Sequence, residues 1–168
     1  MEVQGERTVL RPIVAGDVDE LEVMFTEPAV AQWWPRVDRA KIEDELLHPD
    51  DDTVVYTILV EGEFAGVIQY WEEDDPDYRH AGMDIAVATR WHGAGVAVDA
   101  LRTLARHLFR AQGHHRLVID PALANDRAIA CYKKVGFQPV GVMRKYERGA
   151  GGTFHDSLLM DMLEAELR

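Results

Sequence analysis

A glycine-rich turn between an apolar strand and a long helix constrains the fold of this chain more than any other feature. The segment Arg90-Trp91-His92-Gly93-Ala94-Gly95 directly follows residues 81–89, a largely apolar stretch typical of a β-strand. Beyond the turn, apolar side chains recur at helical spacing as far as about residue 111; they are Ala97, Leu101, Leu104 and Leu108. A further strand is predicted at 116–120. The order strand, helix, strand implies a crossover and hence a parallel pair within an otherwise antiparallel sheet.

The other predicted elements complete a mixed pattern. Asp17 is expected to cap a helix, because Glu20 follows three residues later as in a capping box. The remaining predictions are a first strand at 8–14, a helix at 37–47, a hairpin of strands 53–60 and 64–71 that turns at Glu61-Gly62, a helix at 125–134, and closing strands at 138–147 and 154–163. The expected fold class is therefore α/β, with a mainly antiparallel sheet that contains a central parallel pair and is flanked by helices.

Length and composition limit the class of protein. The 168 residues fit a single domain, 1–168, and no repeat or linker interrupts them. The single cysteine, Cys131, excludes an internal disulfide, and no residues have the spacing of metal ligands, so no metal is expected. No apolar run approaches the ~20 residues that cross a bilayer, and no signal segment is evident, which predicts a cytoplasmic protein. The sequence leaves open a monomer or a homodimer.

Charge is distributed unevenly between the two halves of the chain. The sequence has 18 basic and 30 acidic side chains, a formal charge of −12 at pH 7, which argues against nucleic acid or an anionic membrane as a partner. Residues 1–84 hold 6 of the basic and 22 of the acidic side chains, whereas residues 85–168 hold 12 and 8. Such a division suits two ligands, a cation and an anion, although acidic surface that only aids solubility has the same composition.

The glycine turn has the chemistry of a phosphate site. The first N–H groups of a helix have no partner inside the helix and lie at the positive end of its dipole, and glycine lets a ligand approach the backbone. A pyrophosphate would bind well there. The segment is not a P-loop, because no Gly-Lys-Ser/Thr follows, and Val98 replaces the third glycine of a dinucleotide fingerprint. Taken alone, the same glycines also suit a purely structural turn.

A second motif, about 30 residues later, points to a family. Helical packing explains the apolar positions of segment 125–137, but it requires neither Asn125 nor Tyr132. Together, Arg-x-x-Gly-x-Gly at 90–95 and Asn-x-x-Ala-x-x-x-Tyr-x-x-x-Gly-Phe at 125–137 resemble the acetyl-CoA site of the GNAT superfamily of N-acetyltransferases. The order of the predicted elements agrees with that superfamily over the whole chain.

Shorter motifs bear on the acetyl acceptor. Segments of the aminoglycoside 6′-N-acetyltransferases are similar to Trp33-Trp34, Asp75-Pro76, Gly82-Met83-Asp84 and Ile119-Asp120-Pro121. The C-terminal stretches 141–144 and 156–160 equally resemble the ribosomal-protein N-terminal acetyltransferases. The resemblance implies an enzyme that moves the acetyl group of acetyl-CoA to a cationic small-molecule amine, with the 6′-amine of an aminoglycoside expected first. A protein N-terminal acetyltransferase and a non-catalytic acyl-CoA-binding module are the alternatives.

The resemblance also implies which residues bind acetyl-CoA. In the superfamily, the strand before the glycine turn splays from its parallel neighbour and offers backbone groups to the pantetheine arm and the thioester carbonyl, where a preorganised N–H lowers the barrier by about 3 kcal/mol. The diphosphate is expected on the amides of residues 92–97. The expected cofactor-binding residues are Ile85, Ala86, Val87, Arg90, His92, Gly93, Ala94, Gly95, Val96, Ala97, Asn125, Ala128 and Tyr132.

Two side chains are expected to move protons while the amine attacks the thioester directly, without an acyl-enzyme. By resemblance, Tyr132 protonates the departing sulfur; the alternative is a buried tyrosine whose hydroxyl is satisfied by the protein. An alkylammonium with a pKa near ~10 must lose a proton before it attacks, and a carboxylate both attracts it and passes the proton on. Asp84 is the candidate, although a strand aspartate also serves in turns or pairing. Cys131 is expected to be a small buried residue and not a nucleophile.

The acceptor pocket is expected to combine carboxylates with aromatic rings. Carboxylates suit the ammonium groups of a polycationic sugar, and ring faces suit its cations and sugar rings. Tyr70 and Trp71 alternate along a strand, so only one of them should face the site. The residues expected to bind the acceptor are Trp33, Trp34, Tyr70, Glu72, Glu73, Asp75, Asp84 and Asp120.

Overall fold

The strands form one eight-stranded sheet in the computed structural model, which describes all 168 residues. In chain order they are β1 (Val3–Gln4), β2 (Thr8–Pro12), β3 (Thr53–Val60), β4 (Glu63–Glu73), β5 (His80–Val87), β6 (Leu117–Ile119), β7 (Gln138–Arg148) and β8 (Phe154–Met162). Their order in the sheet is β1-β2-β3-β4-β5-β6-β8-β7, and every neighbouring pair is antiparallel except β5 and β6. The predicted fold class is confirmed.

Helices cover both faces of the sheet. They are α1 (Val18–Thr26), α2 (Pro28–Ala31), α3 (Arg39–Lys41, continued by a π-helical segment Ile42–Leu47), α4 (Val96–Arg110) and α5 (Asp126–Val135). Because alternate residues of a strand point to opposite faces, α4 and α5 pack against Ile68 and Met83, whereas α1 and α2 pack against Val67 and Ala86. None of these helices is long and apolar enough to span a membrane.

The position of α4 is fixed by apolar packing and by one buried carboxylate. The fully buried stripe of the helix consists of Ala100, Leu101, Leu104, Ala105 and Leu108. In the first turn of α4, Asp99 accepts hydrogen bonds from the backbone N–H groups of Glu6, Arg7 and Thr8 and from the Thr8 hydroxyl. This carboxylate ties the start of β2 to the beginning of α4, next to the glycine turn.

The N-terminal third differs most from its prediction. The first long strand ends at Pro12 and not at Val14, and it pairs with a short unpredicted strand, β1. Asp17 does not cap α1, because its buried carboxylate accepts hydrogen bonds from the Arg11 guanidinium, the Val14 N–H and the Thr57 hydroxyl. Burial alone would raise the pKa of Asp17, but these donors outweigh burial and hold the pKa below its usual value.

The second predicted helix, 37–47, begins two residues late, at Arg39. The side chain of Asp38 caps its first turn, and the second half of the segment is π-helical. Helix α2 was not predicted; it has four residues and begins at Pro28, a residue that suits the first turn of a helix. The segment 32–35 that follows is not helical, as Pro35 predicts.

The central and C-terminal elements follow their predictions closely. The β3–β4 hairpin turns at Glu61 and Gly62, whose φ angles of 51° and 81° fit a two-residue hairpin turn. Strand β5 ends two residues early, because a 3-10 turn occupies Thr89–Trp91. Helix α5 ends at Gly136, which has a φ of 128°, and β7 and β8 form the closing pair of strands.

Strands β5 and β6 separate soon after they meet. They pair only at Ala81 and Gly82 of β5, opposite Leu117 and Val118 of β6. From Met83 onward, β5 has no ladder partner on its β6 side, while its other side stays paired with β4. The separation opens a cleft between β5 and α5, next to the beginning of α4.

Candidate active site

The beginning of α4 presents unpaired backbone amides. Gly93 and Gly95 have φ angles of 76° and 79°, a conformation that other residues rarely adopt. The N–H groups of both glycines and of residues 96–98 meet no acceptor in the protein, as expected for a first helical turn. All five residues line the cleft beside β5, at the positive end of the helix dipole. A diphosphate fits this arrangement.

Two of the amides expected to bind a diphosphate are used inside the turn. The N–H of His92 donates to the Thr89 carbonyl, and the N–H of Ala94 donates to the Trp91 carbonyl. The His92 ring still lines the cleft, with Nε2 2.7 Å from the Val87 carbonyl oxygen. The binding surface therefore begins at Gly93, omits Ala94 and extends one residue further than predicted, to residue 98.

Arg90 lies outside the cleft, contrary to expectation. Its guanidinium donates to the Phe64 carbonyl oxygen at 2.7 Å and lies 3.7 Å from the Glu63 carboxylate. The arginine of the motif thus fastens the glycine turn to the β3–β4 hairpin. Arg7 fastens the same turn from another side by donating to the Ala94 carbonyl. Both arginines hold the turn in place and leave its amides free.

The cleft beside α4, which we call the glycine-turn cleft, has a volume of about 620 Å³. It runs from the unpaired amides along the open side of β5 to α5, and most of its lining is apolar. A long arm of methylenes and amides that ends in phosphates fits a groove of this kind. Of the residues expected to bind acetyl-CoA, those that line it are Ile85, Ala86, Val87, His92, Gly93, Gly95, Val96, Ala97, Asn125, Ala128 and Tyr132.

Asn125 is held where the glycine-turn cleft meets a second cleft. Its Oδ1 accepts a hydrogen bond from the Ala128 N–H at 3.2 Å and so caps α5. The cap fixes the side chain and leaves its amide NH₂ without an acceptor in the protein. Because Asn125 lines both clefts, this NH₂ is available to a bound molecule.

Tyr132 lies at the same junction and is 8% exposed. Its hydroxyl makes no hydrogen bond within the protein, so the structure does not show the satisfied hydroxyl of the alternative interpretation. Burial, reinforced by Cys131, Asp84 and Asp120, raises the pKa of Tyr132 far above its usual value. The hydroxyl therefore stays protonated at neutral pH and holds a proton that it can donate.

The second cleft, which we call the charged cleft, has a volume of about 340 Å³. It shares five residues with the glycine-turn cleft, and these are Trp33, Trp34, Ile85, Asn125 and Tyr132. Six charged side chains of both signs also line it: Asp84, Asp120, Glu147, Arg36, Lys41 and Arg148. The two clefts adjoin at the five shared residues, which include aromatic rings and an amide.

Asp84 is a carboxyl group that titrates near neutral pH. Burial is the main reason that its pKa rises to about 7, and the carboxylates of Asp120 and Glu147 add to the effect. A hydrogen bond from Gln69 Nε2, 3.4 Å from Asp84 Oδ2, acts in the opposite direction. A group with such a pKa accepts and releases protons readily at physiological pH.

Asp120 forms the opposite wall of the charged cleft. It follows β6, the strand that has already turned away from β5. Burial raises the pKa of Asp120, and Glu147 adds to the rise, while the nearby Tyr146 hydroxyl opposes it. Two carboxyl groups that repel each other thus face one cleft, and a cation between them would stabilise the ionised form of both.

Tyr70 and Trp71 take opposite faces of β4, and the structure places Trp71 on the face of Asp84. Tyr70 is buried in the core beneath α4, in the same cluster as Met83, because it pairs with that residue across the ladder. Trp71 pairs with Gly82, and its indole occupies the space that a Cβ at Gly82 would need. The acceptor residue expected at position 70 therefore lies outside both clefts.

The acidic residues after Trp71 also lie outside both clefts. Glu72 is bound to the buried His114 ring, with Oε1 2.5 Å from Nε2. Glu73 accepts a hydrogen bond from the Asp75 N–H, and Asp75 in turn accepts one from the Asp77 N–H. The expected acceptor residues Glu72, Glu73 and Asp75 thus make contacts within the protein and line neither cleft.

Four charged residues of the second cleft were not predicted, namely Arg36, Lys41, Glu147 and Arg148. Arg36 has a φ of 59°, and its guanidinium donates to the carbonyls of Arg148 and Gly149 at 3.0 and 2.7 Å. It joins the loop after α2 to the β7–β8 hairpin. The sequence could have indicated Arg36 and Lys41, because they are two of only six basic residues in the acidic half, residues 1–84. No local pattern indicated Glu147 or Arg148.

Cys131 is placed beside the proposed chemistry but is not activated. It lines the glycine-turn cleft next to Tyr132, and burial raises the pKa of its thiol. The thiolate is the nucleophilic form, so this thiol is a weak nucleophile at neutral pH. No group of three or more His, Cys, Asp or Glu side chains is arranged to hold a metal ion.

A cleft for a phosphate-bearing acyl carrier that opens into a carboxylate-lined cleft defines an acyltransferase that acts on amines. The protein-family model described as "Acetyltransferase (GNAT) domain" matches residues 7–138, and the chain belongs to this family. It is an acetyl-CoA-dependent N-acetyltransferase.

Individual relatives agree on the reaction and differ in the acceptor. Aminoglycoside N(6′)-acetyltransferase type 1 of Klebsiella pneumoniae is 26% identical over 157 residues, covering 83% of this chain and 78% of the relative. Spermidine N(1)-acetyltransferase of Escherichia coli K12 is 22% identical over 157 residues, covering 90% and 83%. The solved structure of RimL, a ribosomal L7/L12 α-N-protein acetyltransferase in complex with coenzyme A, superposes with a TM-score of 0.83 at 21% identity, covering 97% and 98%.

Proposed function

We propose that this enzyme acetylates a primary amine of a cationic small molecule, with the 6′-amine of an aminoglycoside as the first candidate. The observation that carries the proposal is the pair Asp84 and Asp120 in the charged cleft, directly beside the junction with the glycine-turn cleft. Two partly desolvated carboxyl groups form a site for an ammonium group. Such a group held there is adjacent to the place where an acyl carrier would end.

The donor half of the site would act through backbone groups. Acetyl-CoA supplies an activated acyl group as a thioester. The amides of Gly93, Gly95 and residues 96–98 would bind its diphosphate, and the Asn125 NH₂ would bind the pantetheine arm. An N–H on the open side of β5 would stabilise the oxyanion, a contribution of about 3 kcal/mol when the donor is preorganised.

Asp84 and Tyr132 would divide the proton transfers between them. Asp84 accepts a proton from the ammonium group, so that an N–H bond breaks, an O–H bond forms and the nitrogen lone pair becomes free to attack. Tyr132 donates its hydroxyl proton to the departing sulfur and recovers one from the acetylated nitrogen. The raised pKa of Asp84 suits its task, because the carboxyl group then exchanges protons near neutral pH, and the Tyr132 hydroxyl is protonated there.

Two observations support an aminoglycoside as the acceptor. Trp33 and Trp34 line the charged cleft where it meets the glycine-turn cleft, and ring faces pack well against sugars and cations. The similarity to an aminoglycoside N(6′)-acetyltransferase extends over most of the chain.

A second candidate, the α-amino group of a peptide or protein, is favoured by a different observation. Arg36, Lys41 and Arg148 also line the charged cleft, and neither Arg36 nor Arg148 is paired with a carboxylate. Fully cationic acceptors would be repelled by these groups, whereas the carbonyls and carboxylates of a peptide would accept their hydrogen bonds.

An acceptor panel decides between the candidates. Release of the coenzyme A thiol from acetyl-CoA is followed with kanamycin, with spermidine and with short peptides that begin with Ser or Ala. We expect release only when an amine is present, and the highest kcat/KM with kanamycin. A preference for the peptides would reject the aminoglycoside in favour of the second candidate, and the absence of turnover with every amine would reject both.

A further inference from the structure

Gln69 is a polar side chain in an apolar neighbourhood of the sheet. It lies on β4 directly opposite Asp84 in the antiparallel ladder, so the two side chains share a face and start about 5 Å apart. Its neighbours on this face belong to the buried cluster beneath α1 and α2, and they include Val55, Val67 and Ala86. An aliphatic residue would pack well at such a position, so packing does not explain an amide there.

The amide of Gln69 has one partner and one free end. Nε2 donates to Asp84 Oδ2 at 3.4 Å, whereas Oε1 is buried and meets no hydrogen-bond donor. A buried carbonyl oxygen without a donor is destabilising, and native structures seldom contain one without a reason. The same amide could also serve the protonated carboxyl group, because a half-turn brings Oε1 to Asp84, and a carboxylic acid has an O–H that a carboxylate lacks.

We propose that Gln69 is a positioning residue that holds the Asp84 carboxyl group in both of its protonation states. With the carboxylate, Gln69 donates from Nε2; with the carboxylic acid, a half-turn of the amide presents Oε1 to the new O–H. One side chain thus keeps Asp84 pointing into the charged cleft before and after it takes a proton from the acceptor. This inference rests on the proposed function, because it needs Asp84 to be the group that takes that proton.

Other polar and charged groups surround Asp84, but they do not donate a hydrogen bond to its carboxylate. Those that share its surroundings are Asp120 directly after β6, Tyr146, Glu147 and Arg148 on β7, Tyr132 on α5, Arg36 in the segment between α2 and α3, and Lys41 in α3. Asp120 and Glu147 disfavour the ionised form of Asp84, and Gln69 is the side chain that donates a hydrogen bond to it. A hydrogen bond to the charged carboxylate is stronger than one that the neutral acid donates, so removal of Gln69 should shift Asp84 towards its protonated form.

The test is the pH dependence of kcat/KM for the acceptor in the Gln69→Leu variant. We expect the acidic limb to move to higher pH by about one unit, so that activity falls about fivefold at pH 7 and recovers by about pH 9. Coenzyme A affinity should stay within about twofold, because Gln69 lines neither cleft. Gln69→Glu should move the limb further in the same direction, since a like charge would face Asp84. Gln138→Leu, at an exposed glutamine of β7, serves as the control.

A Gln69→Leu profile that superposes on that of the wild type would overturn the proposal. An equal loss at every pH would overturn it as well, because a damaged fold and not a displaced titration produces that result. If the leucine variant does not fold, Gln69→Met, with an unbranched side chain of similar length, replaces it. Asp84→Asn separates the two proposals: inactivity of Asp84→Asn with a silent Gln69→Leu removes only the role of Gln69, whereas a fully active Asp84→Asn removes the proposed function.

Discussion

The two clefts of this enzyme offer different kinds of groups to a ligand. The glycine-turn cleft offers backbone N–H groups from one short segment, 93–98, together with the open side of β5. The charged cleft offers side chains from distant parts of the chain, including Arg36, Asp84, Asp120 and Glu147. Backbone groups stay in place when side chains change, so donor binding should tolerate substitutions that abolish recognition of the acceptor. Substitutions in the two clefts should therefore affect donor binding and acceptor turnover separately.

Substitution of the carboxyl group in the charged cleft should have the largest effect. Asp84→Asn removes both the charge that attracts the ammonium group and the base that takes its proton, so kcat should fall about 100-fold or more and KM for the amine should rise. Steady-state kinetics with a saturating donor measure both. Asp75→Asn is the matched control, because Asp75 lies in the exposed β4–β5 loop. Equal losses in the two variants would mean that the charged cleft is not the acceptor site.

Loss of the hydroxyl at the junction of the clefts should slow turnover without weakening donor binding. Tyr132→Phe keeps the buried ring and removes the proton donor, so we expect kcat to fall about tenfold to 100-fold while the Kd for coenzyme A changes less than about twofold. Calorimetry gives the Kd and thiol release gives kcat. The exposed Tyr78 provides the control substitution, Tyr78→Phe. A normal kcat in Tyr132→Phe would assign protonation of the sulfur to another group.

A change of backbone conformation in the glycine turn should act on the donor alone. Gly95→Ala places a Cβ on a residue with a φ of 79°, which costs about 1–2 kcal/mol for residues other than glycine. The turn would relax and its amides would lose their alignment, so the Kd for coenzyme A should rise about tenfold while KM for the amine stays unchanged. Gly151→Ala, in the open β7–β8 turn, is the control. A rise confined to the amine KM would contradict the assignment of the two clefts.

The smallest effect is expected from the second carboxylate. Asp84 is active when ionised, so kcat/KM for the amine should rise with pH through about 7, the pKa of that group. In Asp120→Asn the like charge is lost, the ionised form of Asp84 becomes easier to form, and the limb should move to lower pH by less than about one unit. A limb of the pH profile that moves to higher pH in Asp120→Asn would exclude the coupling of these two carboxyl groups. An equal shift in the control variant Asp50→Asn would exclude it as well.

The same contrast explains how much of the molecule could be predicted from its sequence. The glycine-turn cleft is built from contiguous motifs, so most of the residues named from the sequence do line it. The details of the turn differ: the amides of His92 and Ala94 bond within it, and Arg90 contacts it from outside. The crossover from β5 through α4 to β6 was predicted for the same reason, because periodicity and glycine positions are local signals.

The charged cleft was predicted only in part, because strand register and long-range pairing decide its membership. Asp84 and Asp120 came from short motifs, but the choice of Tyr70 over Trp71 depended on which face of β4 each residue takes. Glu147 reaches the cleft only through the pairing of β7 with β8. Asp17 is another residue whose contacts could not be predicted from local sequence. Its sequence context suits a helix cap, but its carboxylate accepts hydrogen bonds from Arg11 and Thr57 instead.

Hydrogen–deuterium exchange with and without coenzyme A shows whether the donor binds at the beginning of α4. The unpaired amides of Gly93 and of residues 95–98 have no acceptor in the free protein, so peptides that cover this segment should exchange more slowly once the diphosphate binds. Peptides from the acidic β4–β5 loop should exchange at the same rate in both samples. Protection of the loop, or unchanged exchange at 93–98 under saturating coenzyme A, would contradict a donor bound at the beginning of α4.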